Sequence, residues 1–79
     1  MKVFACKRNR GFSGGLAVVA ANSAEEAFEV FHTNENYDWM IDRIDGDSYY
    51  YKKEDWFELP MITADVEQPQ MIVEDGYTE

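Results

Sequence analysis

Residues 16–21 are apolar without a break, so alternation puts Leu16, Val18 and Ala20 on one face of a strand and Ala17, Val19 and Ala21 on the other. A strand that is apolar on both faces belongs at the centre of a sheet or has both faces covered. Residues 2–8 are also rich in strand formers, and Asn9, Gly11, Ser13, Gly14 and Gly15 interrupt the chain between the two runs. The pattern predicts a β-hairpin whose loop holds a bulge or an open glycine-rich tip, where Gly14 and Gly15 can adopt positive φ.

The period then changes from two to 3.6. Ala24, Ala27, Phe28 and Phe31 recur at i, i+3, i+4 and i+7, while Glu25, Glu26 and Glu29 face away. Ser23 followed by Glu26 matches a capping box, in which each side chain satisfies an N–H that the first helical turn leaves unpaired. A helix is expected over residues 24–32, with His32 complementing the dipole at its C-terminal end and Asn34 and Asn36 supplying the stop.

Residues 37–44 fit two patterns. Tyr37, Met40, Ile41 and Ile44 match a helical stripe, and residues 39–44 match a strand feeding the turn Asp45-Gly46-Asp47; a short helix is the preferred reading. Strands are expected over residues 48–51, over residues 56–59 until Pro60 stops the second, and over residues 70–74, entered through Pro69 and placed at an edge. The resulting expectation is an α+β fold: a small antiparallel sheet with one main helix on one face, in the order ββα followed by further short strands. Residues 1–74 form one domain and residues 75–79 a flexible acidic tail. Phe4, Leu16, Val18, Ala27, Phe28, Phe31 and Ile41 form the expected core.

Composition narrows the class. With 79 residues, 46% hydrophobic and 15% aromatic, there is apolar surface enough for one core and no room for a second. The longest apolar run is far short of the roughly 20 residues that span a bilayer, and it is also too short for a signal-peptide core. One cysteine, Cys6, makes no internal disulfide, so a cytoplasmic location is expected.

Charge is unevenly divided. Lys2, Lys7, Arg8 and Arg10 lie in the first ten residues, and all sixteen acids lie at Glu25 or beyond, for a net charge of −9. Such acidity favours a basic protein partner and repels nucleic acid, so direct nucleic-acid binding is not expected.

Specific chemistry is hard to place. The loop Gly11-Phe12-Ser13-Gly14-Gly15 lacks the spacing of either phosphate-binding glycine motif and precedes a strand. Arg10-Gly11-Phe12 opens like the aromatic pattern of RNA-recognition modules, but Gly14 and Ala17 stand where rings are needed. Asp45-Gly46-Asp47 fails as a calcium loop, because Ile41, Arg43 and Lys52 fall at ligand positions. A single His32 and a single Cys6 give neither a conventional zinc site nor a supported nucleophile. No catalytic, cofactor or metal residue is assigned, and a non-enzymatic role is expected.

What remains is a surface. Seven of the twelve aromatics fall between Tyr37 and Phe57, interspersed with Asp38, Asp42, Glu54 and Asp55. Tyr37, Trp39, Tyr49, Tyr50, Tyr51 and Trp56 are the candidate interaction residues, since Tyr and Trp bury large areas at low entropic cost. The expected function is a protein-protein interaction module with an aromatic and acidic surface; the alternative is an acidic nucleic-acid mimic that inhibits a DNA- or RNA-binding protein. Homodimerisation that hides the second sheet face accompanies the first reading.

Overall fold

A computed structural model describes residues 1–8 and 14–76. Four strands, β1 (Lys2–Lys7), β2 (Gly15–Ala20), β3 (Phe57–Thr63) and β4 (Gln70–Gly76), form an antiparallel sheet in the order β3-β1-β2-β4, and one main helix, α1 (Ala24–His32), packs against it. The fold is a small α+β domain, as the change of period predicts. β2 is central and β4 lies at an edge.

The helix occupies the residues that the sequence predicts, for the reasons it predicts. Ser23 Oγ accepts from the Glu26 N–H at 3.1 Å. The return half of the capping box is displaced by one residue: Glu26 Oε1 accepts from the backbone N–H and the side-chain amide of Asn22, at 2.8 and 2.9 Å, rather than from Ser23.

Register decides which face of the sheet becomes core. Phe4 opposes Val19 and Cys6 opposes Ala17, and these residues share a buried cluster with Ala21, Ala27, Phe28, Phe31, Met40, Ile41, Tyr51 and Trp56. Leu16 and Val18 were expected there but point to the other face, where Leu16 is exposed and Val18 half-buried. The reason is steric. Ala17 and Ala21 are small and let the helix, with Ala27 toward them, approach closely, while the aromatic rings fill the space beside it.

Several expected elements differ. Residues 37–44 resolve into both alternatives, a 3₁₀ helix over Glu35–Met40 and then an extended step at Ile41, which bridges Ser48. Residues 48–51 form no strand beyond that bridge. The Ser48 hydroxyl accepts from the N–H groups of Tyr50 and Tyr51, at 3.3 and 3.1 Å, and turns the backbone away from a ladder. Pro60 does not end its strand: β3 runs through it, which is tolerated because β3 is an edge strand whose pairing with β1 shifts register between Phe4 and Lys2.

Positive φ occurs at Gly46 (75°), and neither Gly14 nor Gly15 adopts it; Gly15 instead starts β2. The predicted hairpin tip at residues 9–13 lies outside the described residues. Of the expected tail, Asp75 and Gly76 belong to β4, and residues 77–79 lie outside the described residues.

Candidate functional site

The six aromatic candidates divide between core and surface. Tyr51 (0% exposed) and Trp56 are core, which corrects their assignment to an interaction surface, and Tyr37 is half-buried against Phe31 at 5.3 Å between ring centroids. Phe31 also meets Tyr51 edge-on at 5.3 Å and Trp56 at 5.7 Å. A strand would have alternated the three tyrosines in and out. The turn set by Ser48 instead sends Tyr51 inward.

The Tyr51 hydroxyl is satisfied by charge. It donates to Glu74 Oε1 at 2.5 Å and accepts from Arg8 Nε at 3.2 Å, while Arg8 Nη2 reaches the same carboxylate oxygen at 3.0 Å. The Arg8 side chain is 4% exposed and lies 4.8 Å from the Tyr50 ring centre, a cation–π distance. Burial and the bond to Glu74 raise the Tyr51 phenol above its ordinary range, against the opposing pull of Arg8. For Arg8, burial works against its charge, and the bonds to Tyr51 and Glu74 outweigh it.

Outward from this cluster lies the exposed remainder. Trp39 (60% exposed) meets Tyr50 edge-on at 5.7 Å, and Tyr49 is exposed beside it in sequence. The backbone explains why they stand together. The Tyr49 N–H donates to the Met40 carbonyl at 2.8 Å, Ile41 bridges Ser48, and the Asp42 N–H donates to the Asp47 carbonyl at 2.7 Å, giving a short hairpin turned at Gly46. Ile44, at its tip, is 97% exposed.

Sequence reasoning placed Ile44 in a helical stripe and so missed it. The signal was present: Ile44 stands between Arg43 and Asp45 in a segment closed by Asp45-Gly46, where an apolar side chain has no interior to enter.

Acids surround these apolar groups in two roles. Asp42, Asp45 and Asp47 are turn builders, accepting from the N–H groups of Ile44, Asp47 and Ser48 at 2.9, 2.9 and 2.8 Å, and Asp47 also takes the Lys53 N–H at 2.8 Å. Glu35 and Asp38 lie on the 3₁₀ helix that carries Trp39, and Asp38 pairs with Arg43 at 2.5 Å in an exposed ion pair. Exposed apolar side chains thus follow one another along this segment, Trp39 on the 3₁₀ helix that leads into the hairpin, Ile44 at its tip and Tyr49 on its return arm, with carboxylates interspersed in the sequence.

Reactive groups elsewhere are quiet. The buried Cys6 thiol is pushed up to about 12, by burial first and then by the charges of Asp55 and Asp47, so it stays a thiol at neutral pH. His32 ends α1 and packs on Phe28 at 5.4 Å. Among the described residues no cluster of three His, Cys, Asp or Glu side chains has the arrangement to hold a metal ion, and no helix is long and apolar enough to cross a membrane.

On the sheet face away from the helix, a cavity of about 700 Å³ opens at the Lys7 end, lined by Lys7, Arg8, Gly14, Gly15, Leu16, Val73 and Asp75. Compared with protein families, with curated proteins and with solved structures, the chain matches none.

Proposed function

We propose that this chain is a non-enzymatic interaction protein that recognises a basic protein segment through the hairpin carrying Trp39, Ile44 and Tyr49. The observation that carries the reading is Trp39, a large ring 60% exposed and braced edge-on by Tyr50, which itself lies over Arg8. A ring held in place loses little entropy on binding, and tryptophan is enriched among residues that dominate binding energy. The carboxylates of Glu35, Asp38, Asp42 and Asp45 suit a lysine- or arginine-rich partner, attracting it at a distance and pairing at the rim.

Trp39 also provides the assay, because the second tryptophan, Trp56, is buried. Titration with an arginine-rich peptide that carries apolar residues is expected to move the Trp39 emission to the blue. Trp39→Ala is expected to weaken binding by about tenfold to a hundredfold, with the fold intact by circular dichroism. Binding that survives Trp39→Ala and Ile44→Asp yet collapses between about 50 and 200 mM salt would favour the nucleic-acid mimic instead. Absence of binding to basic peptides and basic nucleic-acid-binding proteins alike would overturn both readings.

A further inference from the structure

Between the buried polar cluster and the exposed indole runs a series of side chains in contact. Glu74 Oε1 holds Arg8 Nη2 at 3.0 Å, Arg8 Cζ lies 4.8 Å from the Tyr50 ring centre, and Tyr50 meets Trp39 at 5.7 Å with the ring planes 62° apart. The series begins on β4, passes the residue after β1 and the turn after Ser48, and ends on the 3₁₀ helix.

We infer that Arg8 and Glu74 are positioning residues for Trp39: the buried ion pair fixes the guanidinium, the guanidinium fixes the Tyr50 ring, and that ring fixes the indole in the orientation a partner meets. The consequence for binding rests on Trp39 being the contact residue.

The backbone does not orient the indole by itself. The Tyr49 N–H bond to the Met40 carbonyl pins the main chain beside Trp39, but an exposed tryptophan keeps its rotamer freedom unless a neighbour favours one well. Among the described residues the ring that meets Trp39 is that of Tyr50. Tyr50 needs orienting in turn, because its N–H bond to Ser48 Oγ at 3.3 Å locates its main chain and not its ring. Arg8 acts on the ring. Its side chain is 4% exposed, its Nε and Nη2 are committed to Tyr51 and Glu74 at 3.2 and 3.0 Å, and its Nη1 is buried with no hydrogen-bond partner. A buried cation left with an unpaired nitrogen is drawn to an electron-rich ring face, and the attraction is strongest where water is excluded. Two bonds along one edge of a planar group fix its plane, so the Tyr50 ring packs on a fixed surface.

Affinity follows from that order. Each rotamer-rich side chain that binding must immobilise weakens binding by about threefold to tenfold, and a ring already held avoids most of that cost. Arg8 and Glu74 thereby contribute to affinity without touching the partner.

Fluorine NMR of the full chain labelled with 5-fluorotryptophan reads the indole directly, with one resonance for each of the two tryptophans and Trp39→Phe to assign them. Arg8→Met combined with Glu74→Met leaves no unpaired buried charge, so the fold is expected to hold. It also removes one charge of each sign, so the net −9 that attracts a basic peptide is unchanged. The Trp39 resonance is expected to move toward that of free 5-fluorotryptophan in this double variant and in Tyr50→Leu, and to stay in Tyr50→Phe, which keeps the ring. A dispersed resonance from the buried Trp56 marks an intact core; if the double variant loses it, Arg8→Lys, which keeps the charge but not the planar fork, is read in the same way. Affinity for an arginine-rich peptide is expected to fall about threefold to tenfold in the variants that move the Trp39 resonance. A Trp39 resonance that does not move when Arg8 is replaced overturns the positioning, and one that moves while affinity is unchanged overturns its bearing on binding. If the unaltered chain binds no such peptide and the resonance moves as expected, the positioning stands and the binding reading falls.

Discussion

The Tyr51 hydroxyl donates to Glu74 Oε1 at 2.5 Å, joining the irregular segment before β3 to the last strand across 23 positions of chain. Both groups are held there because Arg8, the residue after β1, bonds to each, so three segments meet at one buried polar cluster. Removal of a single partner leaves the others unsatisfied in a low-dielectric site. Glu74→Ala, which strands the Arg8 charge, is expected to cost about 3–5 kcal/mol, and Tyr51→Phe about 1–3 kcal/mol. Urea unfolding measures both; equal losses would show that the carboxylate does not hold the guanidinium.

Alkaline pH should weaken the fold through two groups. Tyr51 and Cys6 both have native values raised above their ordinary ones, 10.0 and 9.0, so each contributes stability that is complete below its ordinary value and lost as pH rises toward the native one. The urea midpoint is expected to hold steady from neutrality to about pH 9 and then fall. In the native state Cys6 should resist a thiol reagent at pH 8 and react at once in urea. Rapid native labelling would place the thiol outside the core.

Phe31 holds the aromatic core together, in ring contact with Tyr37, Tyr51 and Trp56. Phe31→Ala is expected to cost about 3–5 kcal/mol, a large share of the roughly 4–12 kcal/mol available to a chain of this length. Chemical denaturation should show a strongly lowered midpoint. A loss below about 1 kcal/mol would mean that the helix and the 35–56 segment are not joined through this ring.

The helix start is a smaller and separable contribution. Ser23→Ala removes the acceptor for the Glu26 N–H and is expected to cost about 1 kcal/mol, whereas Ser23→Gly costs only a few tenths. Thermal unfolding of the two variants distinguishes the cap from the loss of any other contact at this exposed position.

The sequence alone determined part of the local structure. The helix over Ala24–His32, its serine cap, the centrality of β2 and the edge position of β4 all follow from spacing, capping chemistry and the alternation of apolar residues, which act within a few positions along the chain. Those interactions require no knowledge of distant segments.

Tertiary structure decided what local pattern left degenerate. β2 is apolar on both sides, so only the arrival of α1 and the 35–56 segment selected Ala17 and Val19 for the core and left Leu16 outside. Pro60 lies in a strand because β3 is an edge, and Tyr51 turns inward because Ser48 captures its N–H and the remote Arg8 and Glu74 receive its hydroxyl. Of the aromatic cluster that composition marked, the sequence specified the rings but not their directions. Direction depends on which long-range partners satisfy each polar end and which face the helix covers, and both are set by the assembled sheet.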